Sequence, residues 1–408
     1  MKKKIVLFVS IAFPPKFDSE GLQVAKYFKY LTQQNDFDFT IITSAIPTLF
    51  MPYDASLEKA REGAKKIIEI KIWEHKYINF ILRKISRAFV DRPDSKWTFY
   101  LQWKKAVLNI KEKPSIIYSR SFPASSAMMA LKLKAFYRVP WVMHLSDPWA
   151  DSPVNVMTGK AKTLNTEMER ICFENADKIC LTSYETIAFY AKKYPQFKGK
   201  LEYFPNVYDP ADIKPVVGNI KNSKLRFVYT GGMAGNRSPE PFLKAITQLP
   251  SHIQDKLEII FSGYTDRQNA ALFDFYKSDC VKFIGHLDTY QEAIALQNSG
   301  DVLLLIDFPI KEKEKRMYFL SKILDYMIAQ KYILATTGAG STCHSVIDGK
   351  LGACFEEENI EGIQQHILFL LAKFETEYDT FFNKNNIDPT FDAQINANRL
   401  LALFEKMI

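Results

Sequence analysis

Short apolar segments alternate with amphipathic segments along the first half of the chain. The apolar segments are KIVLFVS (4–10), FDFTIIT (37–43), SIIYS (115–119), WVMHL (141–145) and KICLTS (178–183). Between the first two, apolar residues recur at helical spacing over 19–34 and predict an amphipathic helix. Nearly continuous apolar strands separated by helices are typical of a parallel sheet that is covered on both faces. The first half therefore predicts a doubly wound α/β domain.

The same alternation starts again after a break. Residues 205–224 hold three prolines and several turn-forming residues without periodicity, which predicts a linker over 206–224. Further predicted strands are LRFVYTGG (225–232), KLEIIFSG (256–263), VKFIG (281–285), DVLLLI (301–306), YILATTG (332–338) and LGACF (351–355). A helix is predicted over 239–249 and a last one over 391–407, after the polar stretch NKNNIDPT. We therefore expect an N-terminal domain over 1–205, completed by the C-terminal helix 391–408, and a C-terminal domain over 225–390.

The bulk composition agrees with two domains. A chain of 408 residues is longer than one core usually serves, and 47% hydrophobic with 25% charged residues is a globular composition. The five cysteines have no CxxC spacing and the six histidines have no metal-ligand spacing, which disfavours a disulfide framework and a structural zinc site. No segment approaches the about 20 apolar residues that a transmembrane helix needs. The basic, apolar start MKKKIVLFVSIAF looks like a signal peptide, but two prolines and a lysine follow it without a cleavage site, so we interpret it as a buried first strand.

Positive charge is concentrated in one region. The net charge is +8, and residues 71–113 carry eleven basic and four acidic side chains, a net +7. Large apolar side chains such as Trp73, Phe80 and Trp97 are interleaved with the basic ones. This mixture indicates either a helix that lies on an anionic membrane surface or ordinary amphipathic helices that cover the sheet. A nucleic-acid partner is not expected, because no recognised binding motif accompanies the charge.

The first candidate for chemistry is the turn YTGGMAGNRSPEPF, which follows a predicted strand. Ligands of open parallel sheets bind outside the carboxyl ends of the strands. Gly231, Gly232 and Gly235 let the backbone approach a ligand closely, and Arg237 can neutralise phosphate oxygens. The alternative is that the glycines only form a tight turn.

The second candidate is FLSKILDYMIAQKYILATTGAGS, residues 319–341. Leu320 and Ser321 come just before a short apolar helix, where free backbone amides attract anions. Lys322 adds a positive charge, and Asp325 lies one turn further on the same side, where a carboxylate can accept hydrogen bonds from ribose hydroxyls. The alternative is a surface ion pair between the two charged residues.

Several segments, in the right order over nearly the whole chain, resemble GT-B glycosyltransferases of the family 4 type. The resembling segments are SIAFPPKFDSEGLQVAKYFKYL, PWVMHLSDPW, ADKICLTS, YFPNVYD, FVYTGGMAGNRSPEPF, FIGHLDTYQEAIALQNSGDVLLL and SKILDYMIAQKYILATTGAGS. The resemblance implies two Rossmann-like domains with a cleft between them and a C-terminal helix that crosses back to the first domain. It also implies transfer of a sugar from a nucleotide-diphosphate sugar to a hydroxyl acceptor with retention of configuration, and no obligatory metal or other cofactor.

The resemblance also assigns residue roles. Arg237 and Lys322 would hold the diphosphate, and Asp325 would bind the ribose as the second carboxylate of an E-x7-E pattern. Gly285, His286 and Leu287 would contact the base, mainly through the backbone. Each of these roles belongs to the C-terminal domain.

In the N-terminal domain, Gly21 would bring its loop against the donor. His144 and Asp147 lie at the end of a strand, and one of them would touch the sugar or the acceptor hydroxyl. A histidine on an apolar strand is also compatible with a purely structural role, and that alternative stays open.

The chain departs from the family pattern at five positions. Met317 stands where the first glutamate of E-x7-E is expected, and Asp325 is shorter than the second. Gly232 and Ser146 stand where arginines are frequent, and Glu20 replaces a glycine of the first loop. These departures affect the choice of sugar and the catalytic step rather than the fold.

The sequence therefore predicts a cytoplasmic glycosyltransferase of surface polysaccharide or glycolipid synthesis, peripheral on the membrane through 71–113. Its expected partners are a nucleotide-sugar donor and a sugar or lipid-linked sugar acceptor. The alternatives are a non-catalytic GT-B scaffold, which Met317 and Gly232 favour, and a nucleotide-sugar epimerase of the same fold, for which no catalytic acid pair stands out.

Overall fold

The structure is a computed structural model that describes residues 3–34, 36–46, 48–49, 51–213, 221–382 and 387–408. The chain separates into two compact units. The first unit contains Met1–Pro210, Met317–Phe319 and Pro389–Ile408, and the second contains Ala211–Arg316 and Leu320–Asp388. The part of the predicted linker over 214–220 lies outside the described residues.

The first unit is built on a parallel sheet of seven strands. The strands are β1 (Lys4–Val9), β2 (Phe37–Ser44), β3 (Ala64–Ile70), β4 (Ile116–Ser121), β5 (Trp141–Leu145), β6 (Lys178–Leu181) and β7 (Leu201–Tyr203). Their order across the sheet is β3-β2-β1-β4-β5-β6-β7. The chain runs outward from β1 to β3 and then continues on the other side of β1, so the switch point lies between β1 and β4. This is the place where open α/β sheets bind ligands.

Helices cover both faces of this sheet. They are α1 (Ser19–Leu31), α2 (Lys76–Ile85), α3 (Thr98–Leu101), α4 (Trp103–Asn109), α5 (Ser125–Tyr137), α6 (Gly159–Asn175) and α7 (Tyr184–Lys193). One apolar cluster joins alternate residues of β1, such as Leu7 and Val9, to α5. A second joins the opposite residues, such as Val6 and Phe8, to α1. The two clusters use the two faces of the same strand, as alternation along a strand requires.

The second unit repeats this plan with six parallel strands. They are β8 (Leu225–Thr230), β9 (Leu257–Ser262), β10 (Val281–Phe283), β11 (Val302–Ile306), β12 (Tyr332–Thr336) and β13 (Gly352–Phe355). The order is β10-β9-β8-β11-β12-β13, with the switch point between β8 and β11. The helices are α8 (Glu240–Thr247), α9 (Ser251–Gln254), α10 (Arg267–Phe275), α11 (Tyr290–Ser299), α12 (Lys322–Ile328), α13 (Thr342–Ile347), α14 (Ile360–Thr376) and α15 (Tyr378–Phe382).

The last helix, α16 (Ala393–Met407), packs in the first unit against α1. Its buried residues Ala397, Leu400 and Phe404 join the same apolar cluster as α1. The C-terminal helix thus returns to the first domain, as the sequence predicts. Within the described ranges, none of the helices has the length and apolar character that crossing a membrane requires.

Candidate functional site

The densest group of predicted site residues in the second unit surrounds Lys322, the first residue of α12. Its ammonium donates hydrogen bonds to the carbonyl oxygen of Thr230 at 2.8 Å and to the hydroxyl of Tyr229 at 3.2 Å. It also lies 4.3 Å from the centre of the Tyr229 ring. Both partners belong to β8, so the lysine is fixed at the carboxyl end of that strand, beside the switch point.

Gly231 makes room for this lysine. Its φ is +137°, and a Cβ atom at this position would lie 2.2 Å from Nζ of Lys322. Gly263, at the end of β9, has a φ of +141°, and its Cβ would lie 1.9 Å from the carbonyl oxygen of Gly231. The two glycines therefore let the ends of two neighbouring strands approach each other under the ammonium group.

The ammonium of Lys322 is poorly compensated. Burial, together with the nearby positive charge of Arg237, lowers the pKa of Lys322 well below its ordinary value, against the opposite influence of Asp325 and Asp307. The groups that accept its hydrogen bonds are a carbonyl and a phenol, which are weaker partners than an anion. A phosphate at this point would supply the missing negative charge.

Arg237 is the second cation of the group. Its guanidinium lies 4.0 Å from the centre of the Phe308 ring. Its Nε atom is buried, and within the described part of the chain it has no hydrogen-bond partner. A buried donor without a partner is costly unless a ligand or water completes it, so this guanidinium is prepared to bind an additional acceptor.

Asp325 and the predicted base-binding residues lie around the same strand ends. The carboxylate of Asp325 accepts a hydrogen bond from Tyr290 at 2.8 Å. Gly285 has a φ of +79°, and its carbonyl oxygen accepts from the backbone N–H of Gly263 at 2.8 Å. His286 is exposed and Leu287 is half-buried. The structure thus leaves the imidazole of His286 accessible at the end of β10.

The remaining predicted residues of this unit have mainly structural contacts. Leu320 is 5% exposed and its side chain belongs to the core. Ser321 is the N-cap residue of α12 without a side-chain capping bond. The carbonyl oxygen of Gly232 accepts the hydroxyl of Tyr229 at 2.9 Å.

In the first unit, a buried charge cluster lies at the switch point. Arg120, from β4, donates from Nε to Glu20 at 2.9 Å and from Nη2 to Asn206 at 2.9 Å. The hydroxyl of Ser146 donates to the other carboxylate oxygen of Glu20. The guanidinium lies 4.8 Å from the centre of the Tyr27 ring. Sequence reasoning did not identify Arg120, although a charged residue inside the apolar strand IIYSRS is a signal that could have found it.

Asp147 follows β5 beside this cluster. Burial, reinforced by the negative charge of Glu20, raises the pKa of Asp147 to about 7, and Arg120 opposes the change. A carboxyl group with such a pKa exchanges protons near neutral pH. Of the two predicted catalytic residues, Asp147 is therefore the one with suitable acid–base properties.

His144 is fully buried in β5, and both of its ring nitrogens are engaged. Nδ1 lies 2.9 Å from the hydroxyl of Tyr118, and Nε2 lies 3.1 Å from the carbonyl oxygen of Phe204. Because a carbonyl can only accept, Nε2 carries the proton and Nδ1 accepts from the tyrosine. Burial and the charge of Arg120 lower the pKa of His144 well below its ordinary value. This geometry favours the structural alternative for His144.

Gly21 and Met317 are both enclosed within the first unit. A Cβ atom on Gly21 would lie 2.4 Å from the carbonyl oxygen of Lys16, so the glycine is required by its own loop. Met317 is 1% exposed, and its carbonyl oxygen accepts from the hydroxyl of Thr186 at 3.2 Å. The side chain at 317 is thus excluded from solvent. Across the described residues, no group of three or more His, Cys, Asp or Glu side chains is placed to hold a metal ion.

Comparison with solved structures identifies the fold. The chain is similar to Anabaena Alr3699/HepE in complex with UDP, with a TM-score of 0.64, 12% identity, and coverage of 99% of this chain and 100% of that one. Sucrose-phosphate synthase from Thermosynechococcus elongatus gives a TM-score of 0.69 at 16% identity, covering 99% of both chains. The lipopolysaccharide outer core galactosyltransferase WaaB gives 0.59 at 11% identity, covering 99% of this chain and 100% of that one. The chain has the GT-B fold.

Comparison of sequences gives a further relative. The chain is 22% identical over 250 residues to the uncharacterized glycosyltransferase MJ1069 of Methanocaldococcus jannaschii. The match covers 59% of this chain and 61% of that protein, which is less than two thirds of its length. No family model matches the chain. At these identities the likeness establishes the GT-B fold, and the activity rests on the site.

Proposed function

We propose that this GT-B chain is a family 4 type glycosyltransferase that moves a sugar from a nucleotide-diphosphate sugar to a hydroxyl acceptor. The observation that carries the proposal is the pair of incompletely satisfied cations, Lys322 and Arg237, at the switch point of the second sheet. Two neighbouring positive charges with spare hydrogen-bonding capacity suit a diphosphate. The similarity to a protein that was solved with UDP and with UDP-glucose supports this donor class.

The proposed chemistry follows from where charge develops. The bond between the anomeric carbon and the leaving phosphate breaks, and a new bond forms between that carbon and the acceptor oxygen. Lys322 and Arg237 stabilise the negative charge that accumulates on the leaving diphosphate, because they are fixed before the reaction. In a retaining reaction on one face of the sugar, the leaving phosphate takes the acceptor proton. No metal is required for charge neutralisation when two cations are provided by the protein.

Asp147 is our candidate for contact with the acceptor. Its pKa of about 7 leaves a substantial fraction ionised at neutral pH, and an ionised carboxylate accepts a hydrogen bond from a hydroxyl. Such a bond orients the attacking oxygen. Asp325 would bind the ribose while Tyr290 holds its carboxylate in place.

We also propose that the enzyme works on the inner membrane surface in surface polysaccharide or glycolipid synthesis. Helix α2 has no buried residue, and its Tyr77, Phe80, Ile81 and Ile85 expose 71%, 58%, 57% and 69% of their surface. A short amphipathic helix with a basic edge and an exposed aromatic and aliphatic face suits an anionic bilayer. The expected acceptor is then a sugar on a lipid.

The decisive experiment for the donor is thermal stabilisation by UDP-, GDP-, dTDP-, ADP- and CMP-sugars. A ligand that binds only the folded state raises the melting temperature, so one nucleotide class should stabilise the wild type and fail to stabilise Arg237→Ala and Lys322→Ala. Lys256→Ala, which removes an exposed ion pair with Glu375, is the matched control and should respond like the wild type. Absence of any stabilisation would favour the non-catalytic scaffold, and the anomeric configuration of the product, read by NMR, tests retention.

The membrane part has its own test, sedimentation with vesicles of phosphatidylglycerol and phosphatidylcholine. Phe80→Ser/Ile81→Ser should lose binding, whereas Phe275→Ser, which changes a side chain that is 78% exposed in the second unit, should not. Charge reversal is best made at Lys76 and Lys84, because Arg83 and Arg87 are paired with Asp91. Equal sedimentation of all variants would exclude α2 as the docking surface.

A further inference from the structure

A pocket of about 100 Å³ opens beside the proposed diphosphate site in the second unit. It lies at the carboxyl ends of β11, β12 and β13, between the loop 307–311 and the segments 336–338 and 356–358. A volume of this size corresponds to roughly seven to ten water positions, which is comparable with one sugar ring. The pocket is not used by any residue role assigned above.

The pocket is connected to the cation pair. Phe308, which stacks on the guanidinium of Arg237, lines the pocket, and so does Ser238, the next residue after Arg237. Along the sheet, the exposed His286 lies beyond β9, Lys322 is fixed to β8, and the pocket spans the strands on the other side of β8. A donor with its base near β10 and its diphosphate at Lys322 therefore places its sugar toward this pocket.

The polar floor of the pocket is Asp307. Its carboxylate is 8% exposed and accepts hydrogen bonds from the hydroxyl of Thr337 at 2.7 Å and from the backbone N–H of Phe308 at 2.8 Å. Each carboxylate oxygen has a second lone pair, so Asp307 can accept further bonds from ligand hydroxyls.

The charges around the pocket define the class of sugar. Its lining contains four carboxylates, Asp307 and Glu356 to Glu358, and two cations, Lys311 and Arg316. Arg316 is already hydrogen-bonded within the protein, because it donates to the carbonyl oxygens of Ile310 at 2.7 Å and Ala339 at 2.9 Å. Burial raises the pKa of Asp307, but the three glutamates alone outnumber the two cations. The lining is therefore net negative, and a sugar carboxylate would be repelled there while hydroxyl or amino groups would be favoured.

We propose that this pocket binds the donor sugar and that Asp307 selects the sugar by accepting hydrogen bonds from the sugar hydroxyl groups. The site then accepts neutral or amino-bearing sugars and rejects uronic acids. The inference rests on the proposed function. Asp307 would also supply the carboxylate that the family pattern places at position 317, where this chain has the buried Met317 in the first unit.

The test separates binding of the nucleotide from binding of the sugar. UDP, UDP-glucose and UDP-glucuronic acid are titrated into the wild type by calorimetry, and the same series is measured for Asp307→Asn, with the exposed Asp274→Asn as control. We expect Asp307→Asn to weaken UDP-glucose about tenfold, the scale of one hydrogen bond to a charged group, and to leave UDP within about twofold. Because Asn has the shape of Asp, the fold should be retained.

A second variant acts from the rim of the pocket. Glu357→Lys/Glu358→Lys reverses the charge and should improve binding of UDP-glucuronic acid relative to UDP-glucose by about tenfold. If wild type binds none of the three ligands, the proposed function fails with this nucleotide. If wild type binds UDP but Asp307→Asn weakens UDP and UDP-glucose equally, or the rim variant leaves the preference unchanged, the pocket is not the sugar site.

Discussion

Each unit has an arginine near the switch point of its sheet, but on different elements: Arg120 lies in β4, and Arg237 lies in the loop after β8. Arg120 lies at the switch point of the first sheet, where Glu20 and Asn206 take its hydrogen bonds inside the protein. Arg237 lies near the switch point of the second sheet, where its neighbours are the ring of Phe308 and the ammonium of Lys322. The charge of Arg120 is compensated by Glu20, although its Nη1 atom, like Nε of Arg237, has no hydrogen-bond partner among the described residues. Arg237 forms no ion pair with a carboxylate of the described residues, which suits the proposed ligand. Charge at a switch point thus has a structural or a binding role according to whether the protein supplies the counter-charge.

The largest effect that follows concerns folding. Arg120→Gln should lower the free energy of unfolding by about 3–5 kcal/mol, because it leaves the buried carboxylate of Glu20 without its partner. Arg237→Gln should change it by less than about 1 kcal/mol, since no carboxylate of the described residues forms an ion pair with it. Urea unfolding of both variants measures the difference. In the double variant Glu20→Gln/Arg120→Gln much of the loss should be recovered, and an equal loss in single and double variants would contradict the pairing.

The second effect concerns binding. Lys322→Met should weaken UDP binding by about 10–100-fold, the scale of one or two charge-assisted hydrogen bonds. Its stability should be unchanged or improved, because a buried ammonium with weak partners is replaced by an apolar chain. Calorimetry and urea unfolding on the same samples check both statements. A variant that loses stability but keeps its affinity would assign Lys322 to the fold instead.

The third effect is a proton count. The pKa of Lys322 is lowered in the free protein, and a bound diphosphate raises it by supplying negative charge. Between these two pKa values, binding must take up a proton. Calorimetry in buffers of different ionisation enthalpy should show this uptake for the wild type and not for Lys322→Met. Equal heats in all buffers at every pH would show that the lysine does not change its charge on binding.

The smallest effect concerns Asp147. Its native pKa of about 7 lies above the ordinary 3.8, so the folded state binds more protons between these values and stability falls as pH rises through this window. Asp147→Asn removes this cost. The free energy of unfolding of Asp147→Asn minus that of the wild type should therefore be larger at pH 8 than at pH 4. The expected increase is about 1–2 kcal/mol, after allowance for partial solvation of the side chain. A stability difference that is independent of pH would show that Asp147 titrates normally.

The sequence predicts the fold class and most strands because those strands are apolar on both faces. WVMHL forms β5 over the predicted residues Trp141–Leu145, and the others differ by one or two residues at their ends. The strands β3 and β7 lie at the edges of the first sheet and were not predicted. Their sequences, AKKIIEI and LEY, are partly polar because an edge strand is only partly covered. Periodicity is weak in such segments.

The sequence indicates candidate site residues where a residue type and a glycine turn occur together, as for Lys322, Arg237 and Gly231. The site was not predictable where two distant positions compensate each other. In the sequence, Glu20 and Ser146 are separate departures from a family pattern, whereas in the structure Ser146 donates a hydrogen bond to the carboxylate of Glu20 that Arg120 also binds. Only folding brings residues 20, 120 and 146 together, and single-sequence spacing contains no record of that contact.

The pair Gly231 and Gly263 has a consequence for how this protein can vary. A Cβ at 263 would meet the backbone oxygen of Gly231, which side-chain rotation cannot move away. A Cβ at 231 would meet the ammonium end of Lys322 and could be accepted only if the proposed phosphate-binding lysine moved away. A saturation library at these two positions should therefore be almost empty of functional members, including alanine, although neither residue carries a reactive group. Laboratory evolution of donor preference would have to change residues that line the sugar pocket, such as positions 307, 337 and 357, and keep both glycines.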